Sequence, residues 1–473
     1  MPAASANSSL VYFLGRLVNL LLAPAAIILL PGILGQDGYG QYSYWFGLIT
    51  VYIIAFDAGA QPMLRRFLPE LIESEPARSF SLFRAAMLLK LFMLPLLIVN
   101  TFLSDDPKII IWLLLAALLA SLATNLADVY YSYQKMGLHS ITVLSRRIIR
   151  LVLVPLLFIK LGFTGIIIAL VVAEILGFII SIPALNLFSR PKETLAQPFL
   201  RYYRQGIVMF LAMFASVFIG RSPVFFAEWN GLDVEIVGRV ALCVDLSYFA
   251  LKELINAISE SILPRLISLY AGGKMEKMQS LISQNYRIVN FVTLWFVSLG
   301  IGLAEPGLRL LGEDFYMASL ELQFLLALVI FSSWNLIHNQ LLIIEEKSYL
   351  VLVSQCAGLL FAVSVILIYR HTLSIEILVL GLGGAMICSC IVSYLVVRKK
   401  YNARISLRYF IIPLILAMVL STVLGMLNIN GVYQVSFAAM AGSLFYLVMM
   451  YISKGIHKED LRLTANLLSR KKI

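Results

Sequence analysis

Long runs of apolar side chains, unbroken over 20 or more positions, alternate with short polar segments along nearly the whole chain. A hydrocarbon layer of roughly 30 Å needs about 20 such residues per helix, whereas barrel strands would alternate polar and apolar positions. The pattern predicts helices near 9–34, 39–61, 80–103, 108–133, 141–160 and 163–188. After a polar break at 189–205 it predicts helices near 206–228, 239–262, 286–304, 317–344, 349–369, 374–397, 408–428 and 431–452. The expectation is an all-α integral membrane protein with about fourteen transmembrane helices. Its parts are a six-helix bundle at 1–188, a cytoplasmic linker at 189–205, a second six-helix bundle at 206–397, two added helices at 408–452 and a basic tail at 453–473. The longest inner segments, 62–79, 189–205 and 263–285, leave no room for an extramembrane catalytic domain.

Composition agrees: of 473 residues 60% are apolar and only 13% charged, too few to clothe a soluble surface. The 37 basic residues gather in or beside alternate loops, as at Arg65, Arg66, Lys135, Arg146, Arg147, Arg150, Arg398, Lys399 and Lys400. Lys and Arg are retained on the cytoplasmic side during insertion, so both termini are expected there. The net charge of +11 then faces anionic lipid headgroups and requires no nucleic acid. The start, MPAASANSSL, lacks a basic region and cleavage site, which reads as an uncleaved first helix. The four cysteines, Cys243, Cys356, Cys388 and Cys390, fall inside spans as small apolar residues, and neither a metal nor a cofactor is expected.

Two stretches resemble each other. Leu34-Gly35-Gln36-Asp37 through Gly40-Gln41-Tyr42 opens the second span, and Asn230-Gly231-Leu232-Asp233 through Gly238-Arg239-Val240 opens the eighth. The copies close on Leu68-Pro69 and Leu263-Pro264. An even number of helices separates them, so both halves enter from the same side, as in parallel-repeat transporters.

Charges inside the spans carry the functional signal, because each costs roughly 2.5–3.5 kcal/mol at the bilayer centre unless it faces protein or water. Depth matching pairs Arg16 with Asp57, Arg221 with Asp245 and Lys90 with Glu174. On the eighth span Asp245, Lys252, Glu253, Asn256 and Glu260 fall on one arc when residues are spaced by 100°, a wet stripe on an otherwise apolar helix. His338, with Asn335 and Asn339, is a candidate proton relay or an interhelical hydrogen-bonding group. Tyr39, Tyr42, Tyr44, Trp45 and Tyr52 are candidates to stack on sugar rings or to form an interfacial belt. The segment from Pro62 to Phe80 reads as an amphipathic helix lying on the inner leaflet. No nucleophile elbow, zinc-protease or Walker motif occurs, so the chain is not expected to be an enzyme, and uphill work must come from ion or membrane gradients.

These residues resemble the polysaccharide-transporter branch of the multidrug/oligosaccharidyl-lipid/polysaccharide (MOP) flippases, the Wzx-like proteins. The likeness lies in Leu14-Gly15-Arg16-Leu17-Val18-Asn19, the run Leu34-Gly35 through Tyr42, Phe56-Asp57-Ala58-Gly59, Val237-Gly238-Arg239-Val240, Leu263-Pro264-Arg265-Leu266 and Leu311-Gly312-Glu313-Asp314-Phe315. Where such relatives have an Asp-Arg pair late in the seventh span, this chain has Gly220-Arg221, and a usual Gly-x-Tyr appears as Gly238-Arg239-Val240. The resemblance implies two pseudo-symmetric bundles around a central cavity that opens alternately to each side of a bacterial cytoplasmic membrane. It also implies outward translocation of an undecaprenyl-diphosphate-linked oligosaccharide for O-antigen, capsule or another surface glycan, handed to polysaccharide polymerase machinery. Arg16, Asn19, Asp57, Arg221, Asp245, Lys252 and Asn256 would then bind substrate, with Asp57, Asp245, Glu253 and Glu260 as sites for coupling to H+ or Na+. A multidrug antiporter of the same superfamily, a membrane-embedded glycan polymerase and an assembly scaffold are the alternatives.

Overall fold

The computed structural model describes residues 6–102, 106–188, 199–345, 347–401, 408–429 and 431–453, and among these every regular element is a helix. Among the described residues eight helices are long and apolar enough to cross a membrane, or ten if each of two bent pairs counts as one span. The chain divides into two compact units, Met1–Arg221 and Ser222–Ile473. The division falls within a helix.

The first unit opens with α1 (Ala6–Asp57), interrupted at Gly35, whose φ of 69° lies outside the helical region. At 1.5 Å per residue the stretch after this break is about 33 Å long, enough for one crossing. The apolar pattern predicts a four-residue connection at 35–38, but one glycine with positive φ suffices. Ala58 and Gly59, both with positive φ, end α1, and α2 (Ala60–Ser74) departs at 50° to it. Gly59 has a second reason to be glycine. A β-carbon there would sit 2.4 Å from the backbone carbonyl of Gly206, so the two backbones are in direct contact.

The amphipathic segment is a helix, but a shorter one than expected, and its apolar face meets protein and not lipid. Met63, Leu64, Leu68 and Leu71 pack with Leu82 and Phe83 of α3 (Pro76–Phe102) and with Leu126 and Tyr130 of α4 (Pro107–Ser132). Helical spacing showed which face of α2 is apolar, but not what covers it. The unit continues with α5 (Met136–Leu161) and α6 (Phe163–Ser181), which turn about Gly162 at φ 60°, and with α7 (Phe199–Trp229). Within the first unit α4 packs against α1, α2, α3, α5 and α6, so its polar positions are held inside the bundle.

The second unit comprises α8 (Val234–Val244), a π-helical turn (Asp245–Phe249), α9 (Ala250–Ala271), α10 (Met275–Gly302), α11 (Ala304–Leu311), α12 (Ser319–Ile344), α13 (Ser348–Ile368), α14 (Ile375–Tyr401), α15 (Arg408–Met426) and α16 (Val432–Ile452). Helix α12 packs against α9, α10 and α14, and α15 packs on α10. Gly231, before α8, has a φ of 67°, close to that of Gly35 at the matching place in the first repeat.

Candidate functional site

Helix α4 carries Ser121, Thr124, Asn125 and Asp128, spaced so that all four lie on one side of the helix. The fully buried Lys90 of α3 reaches this side. Its ammonium lies 3.2 Å from Asp57 Oδ1 and donates to Ser121 Oγ. With the Asn125 amide turned to satisfy both neighbours, its oxygen accepts from Lys90 Nζ at 2.9 Å and its nitrogen donates to Asp57 at 3.2 Å. The three ammonium hydrogens therefore have three acceptors. Asp57 has a further role, since its carboxylate accepts the backbone N–H of Gln61 at 2.9 and 3.1 Å and caps the start of α2. One turn along α4 the buried Asp128 pairs with the half-exposed Arg65 of α2 at 2.9 Å. A cavity of about 30 Å³ lies beside Asp57, lined also by Gln61, Ser121, Thr124, Phe210 and Met213. That is room for one or two water molecules or a small ion.

The second group adjoins the first through Thr124. Arg146 of α5 donates to the Ala120 carbonyl and to Thr124 Oγ1, each at 3.2 Å. Arg146 and Arg150 both bind the buried Glu174 of α6, at 3.4 and 3.2 Å. Gly177 makes this possible, because a β-carbon there would lie 2.1 Å from Arg146 Cγ. The Arg150 guanidinium sits 4.4 Å from the centre of the Phe46 ring, and that of Arg221 5.6 Å from the same centre while donating to Ser43 at 3.0 Å. Two guanidinium groups thus converge on one aromatic ring, and Arg146 joins Arg150 through the Glu174 they share.

Of the residues expected to form the site, Asp57 and Arg221 belong to these groups. The side chains of Arg16, Asn19 and Glu260 lie outside the described part of the structure. Lys90 pairs with Asp57 and not with Glu174, which binds Arg146 and Arg150 instead. Depth along the bilayer normal fixes which side chains share a level, but not the direction in which each helix face points. In the second unit Lys252 lies 4.8 Å over the Tyr248 ring and donates to its hydroxyl at 3.3 Å. Glu253 and Asn256 are half-buried on the same helix. Asp245 is buried at the head of the π turn. That turn accommodates an extra residue, so Asp245 is rotated away from the stripe that uniform 100° spacing assigns it.

His338 binds Ser393 at 2.8 Å and is fully buried between Tyr286 and Tyr394. Tyr39, Tyr42 and Tyr52 are buried in the packing of the first unit, so they do not offer their faces to a sugar. Tyr44 and Trp45, packed edge to face at 4.8 Å, remain half-exposed. Sequence reading passed over Asn125, Asp128 and the role of Arg146 and Arg150. The 121/124/125/128 spacing was the available signal.

No protein-family model matches the sequence, and no curated protein matches it significantly. Solved structures share its fold. A lipid II flippase, MurJ, in an inward closed conformation aligns with a TM-score of 0.68 at 14% identity, over 95% of this chain and 98% of its own. A multidrug resistance MATE family transporter of the MOP superfamily in its inward-facing conformation gives 0.64 at 13% identity, over 83% and 98%. A MOP superfamily transporter from Pyrococcus furiosus, described as having a binding pocket of reverse polarity, gives 0.55 at 14% identity, over 84% and 94%. At such identities the likeness establishes the fold.

Proposed function

We propose that the protein is a flippase that carries an undecaprenyl-diphosphate-linked oligosaccharide from the inner to the outer leaflet of a bacterial cytoplasmic membrane, by alternating access through about fourteen helices with both termini cytoplasmic. The observation that carries this reading is the convergence of Arg150 and Arg221 on Phe46, with Arg146 sharing Glu174 with Arg150. Planar guanidinium groups bind phosphate oxygens in pairs, and the Phe46 face packs on Arg150 and Arg221 without adding a counter-charge of its own. The fold shared with a lipid II flippase over almost the full length of both chains adds support.

The diphosphate is the physical handle. Two negative charges moving outward across an inside-negative membrane gain about 4.6 kcal/mol per 100 mV, so the potential can drive export. Exchange of H+ or Na+ at Asp57, Asp245, Glu253 or Glu260 supplies a second route, and the cavity beside Asp57 suits a small ion or water. The substrate-binding set then comprises Arg16, Asn19, Asp57, Arg221, Asp245, Lys252 and Asn256, together with Arg146 and Arg150. The product would feed polysaccharide polymerase machinery for O-antigen, capsule or a related glycan. A multidrug antiporter shares the fold, but an arginine cluster repels the organic cations it would export.

The deciding experiment measures access of the lipid-linked glycan to a membrane-impermeant reagent on the outer leaflet. Cells carrying Arg150→Ala, Arg221→Ala or Lys252→Ala should show at least about a tenfold fall in export, equivalent to losing one charge-assisted contact. Normal export in all three would refute the site.

A further inference from the structure

Among the described residues Glu174 is the acid bound by both Arg146 and Arg150, and it is buried between these two half-buried side chains. Arg150 directs one of its five N–H groups to Glu174, and its buried Nε, like that of Arg146, has no protein partner among the described residues. Donors held in an apolar interior beside Phe46 are placed for an acceptor that is not part of the protein. We propose that Glu174 is an internal stand-in for the anionic substrate. In the unloaded protein its carboxylate holds the two arginines, and the incoming diphosphate displaces it from Arg150 and takes over those donors. This rests on the flippase reading and adds a positioning residue to it. Gly177, one turn from Glu174, leaves the space in which Arg146 lies across α6, so Arg146 stays anchored to Ala120 and Thr124 while its bond to Glu174 breaks.

Displacement has a cost and a benefit. The substrate must outcompete a carboxylate, which weakens binding, and the same carboxylate returns to expel it. Glu174→Gln removes the competing charge while keeping the side chain's size and one of its two acceptor oxygens. Inorganic pyrophosphate binding to the full-length protein in nanodiscs should therefore tighten by about tenfold or more in Glu174→Gln, while outward movement of the lipid-linked glycan slows. Glu174→Asp should restore both towards the original values. A merely structural glutamate predicts the opposite for binding, because its loss would let the arginines drift. Unchanged or weaker pyrophosphate binding in folded Glu174→Gln would overturn the role of Glu174 alone. Failure of the unmodified protein to bind pyrophosphate would instead overturn the anion site and the flippase reading with it. If Glu174→Gln does not fold, infrared difference spectra of the unmodified protein labelled with 13C-glutamate decide the matter. Pyrophosphate should shift a carboxylate band, and no shift refutes displacement.

Discussion

The two similar stretches of the chain begin alike and then diverge, and the divergence separates a fully buried charge from a half-buried one. In the first, Gly35 starts a helix that ends at Ala58-Gly59, and α2 leaves at 50°. In the second, Gly231 precedes a helix that absorbs its irregularity in a π turn and continues through α9 without a break. The broken copy frees the α2 N-terminus to be capped by Asp57, which also pairs with Lys90. The continuous copy keeps its backbone hydrogen bonds inside the helix and leaves Lys252 over an aromatic ring one turn away. The same sequence pattern of Gly, polar opening and Leu-Pro close thus accommodates two ways of inserting charge into an apolar helix.

The contrast can be broken experimentally, beginning with the charges. Lys90→Met should destabilise the protein by about 3 kcal/mol, since Asp57 loses its buried counter-charge and Asn125 and Ser121 lose a donor. Lys252→Met should cost less than Lys90→Met, because Lys252 is only half-buried and part of its environment is the Tyr248 ring. Thermal unfolding in detergent measures both, and equal losses would abolish the distinction. Next come the glycines. Gly59→Ala meets both a left-handed backbone and the Gly206 carbonyl and should cost about 2–3 kcal/mol, whereas Gly231→Ala, with open space around it, should cost only about 1 kcal/mol of backbone strain. Denaturation midpoints that match would show that the Gly59–Gly206 contact is not tight.

Gly177→Ala sharpens the picture within the first unit. It should leave folding nearly intact but push Arg146 off Glu174, lowering glycan export about as much as Arg146→Ala in the same leaflet assay. At the cap itself Asp57→Asn keeps an oxygen for the Gln61 N–H, so the part of its effect read as faster hydrogen exchange over residues 60–64 should be about 0.5 kcal/mol, whereas the loss of the Lys90 counter-charge makes its total cost similar to that of Lys90→Met.

Much of this architecture was legible in the chain. Apolar runs located the helices because a bilayer demands about 20 such residues whatever their identity, and Gly35 and Gly231 marked the repeat. The site was only half legible. Asp57 and Arg221 stood out as charges in apolar spans, yet Arg146 and Arg150 were counted with a basic loop although they lie some 15–21 Å along α5 from Met136. Asn125 and Ser121 were hidden by being uncharged. Which partner each charge takes depends on how the helices are rotated about their axes. Apolar sequence barely constrains that rotation, because lipid and protein interior select the same side chains.

Asp57 finally ties mechanics to chemistry. Its carboxylate at once restrains Lys90, fastens the first turn of α2 and forms a wall of the small cavity. Neutralising that one group therefore loosens three things together. A visitor arriving in the hollow, whether a proton or a metal cation, would be felt immediately as slack at the elbow where α2 begins, making this residue a transducer and not merely an anchor.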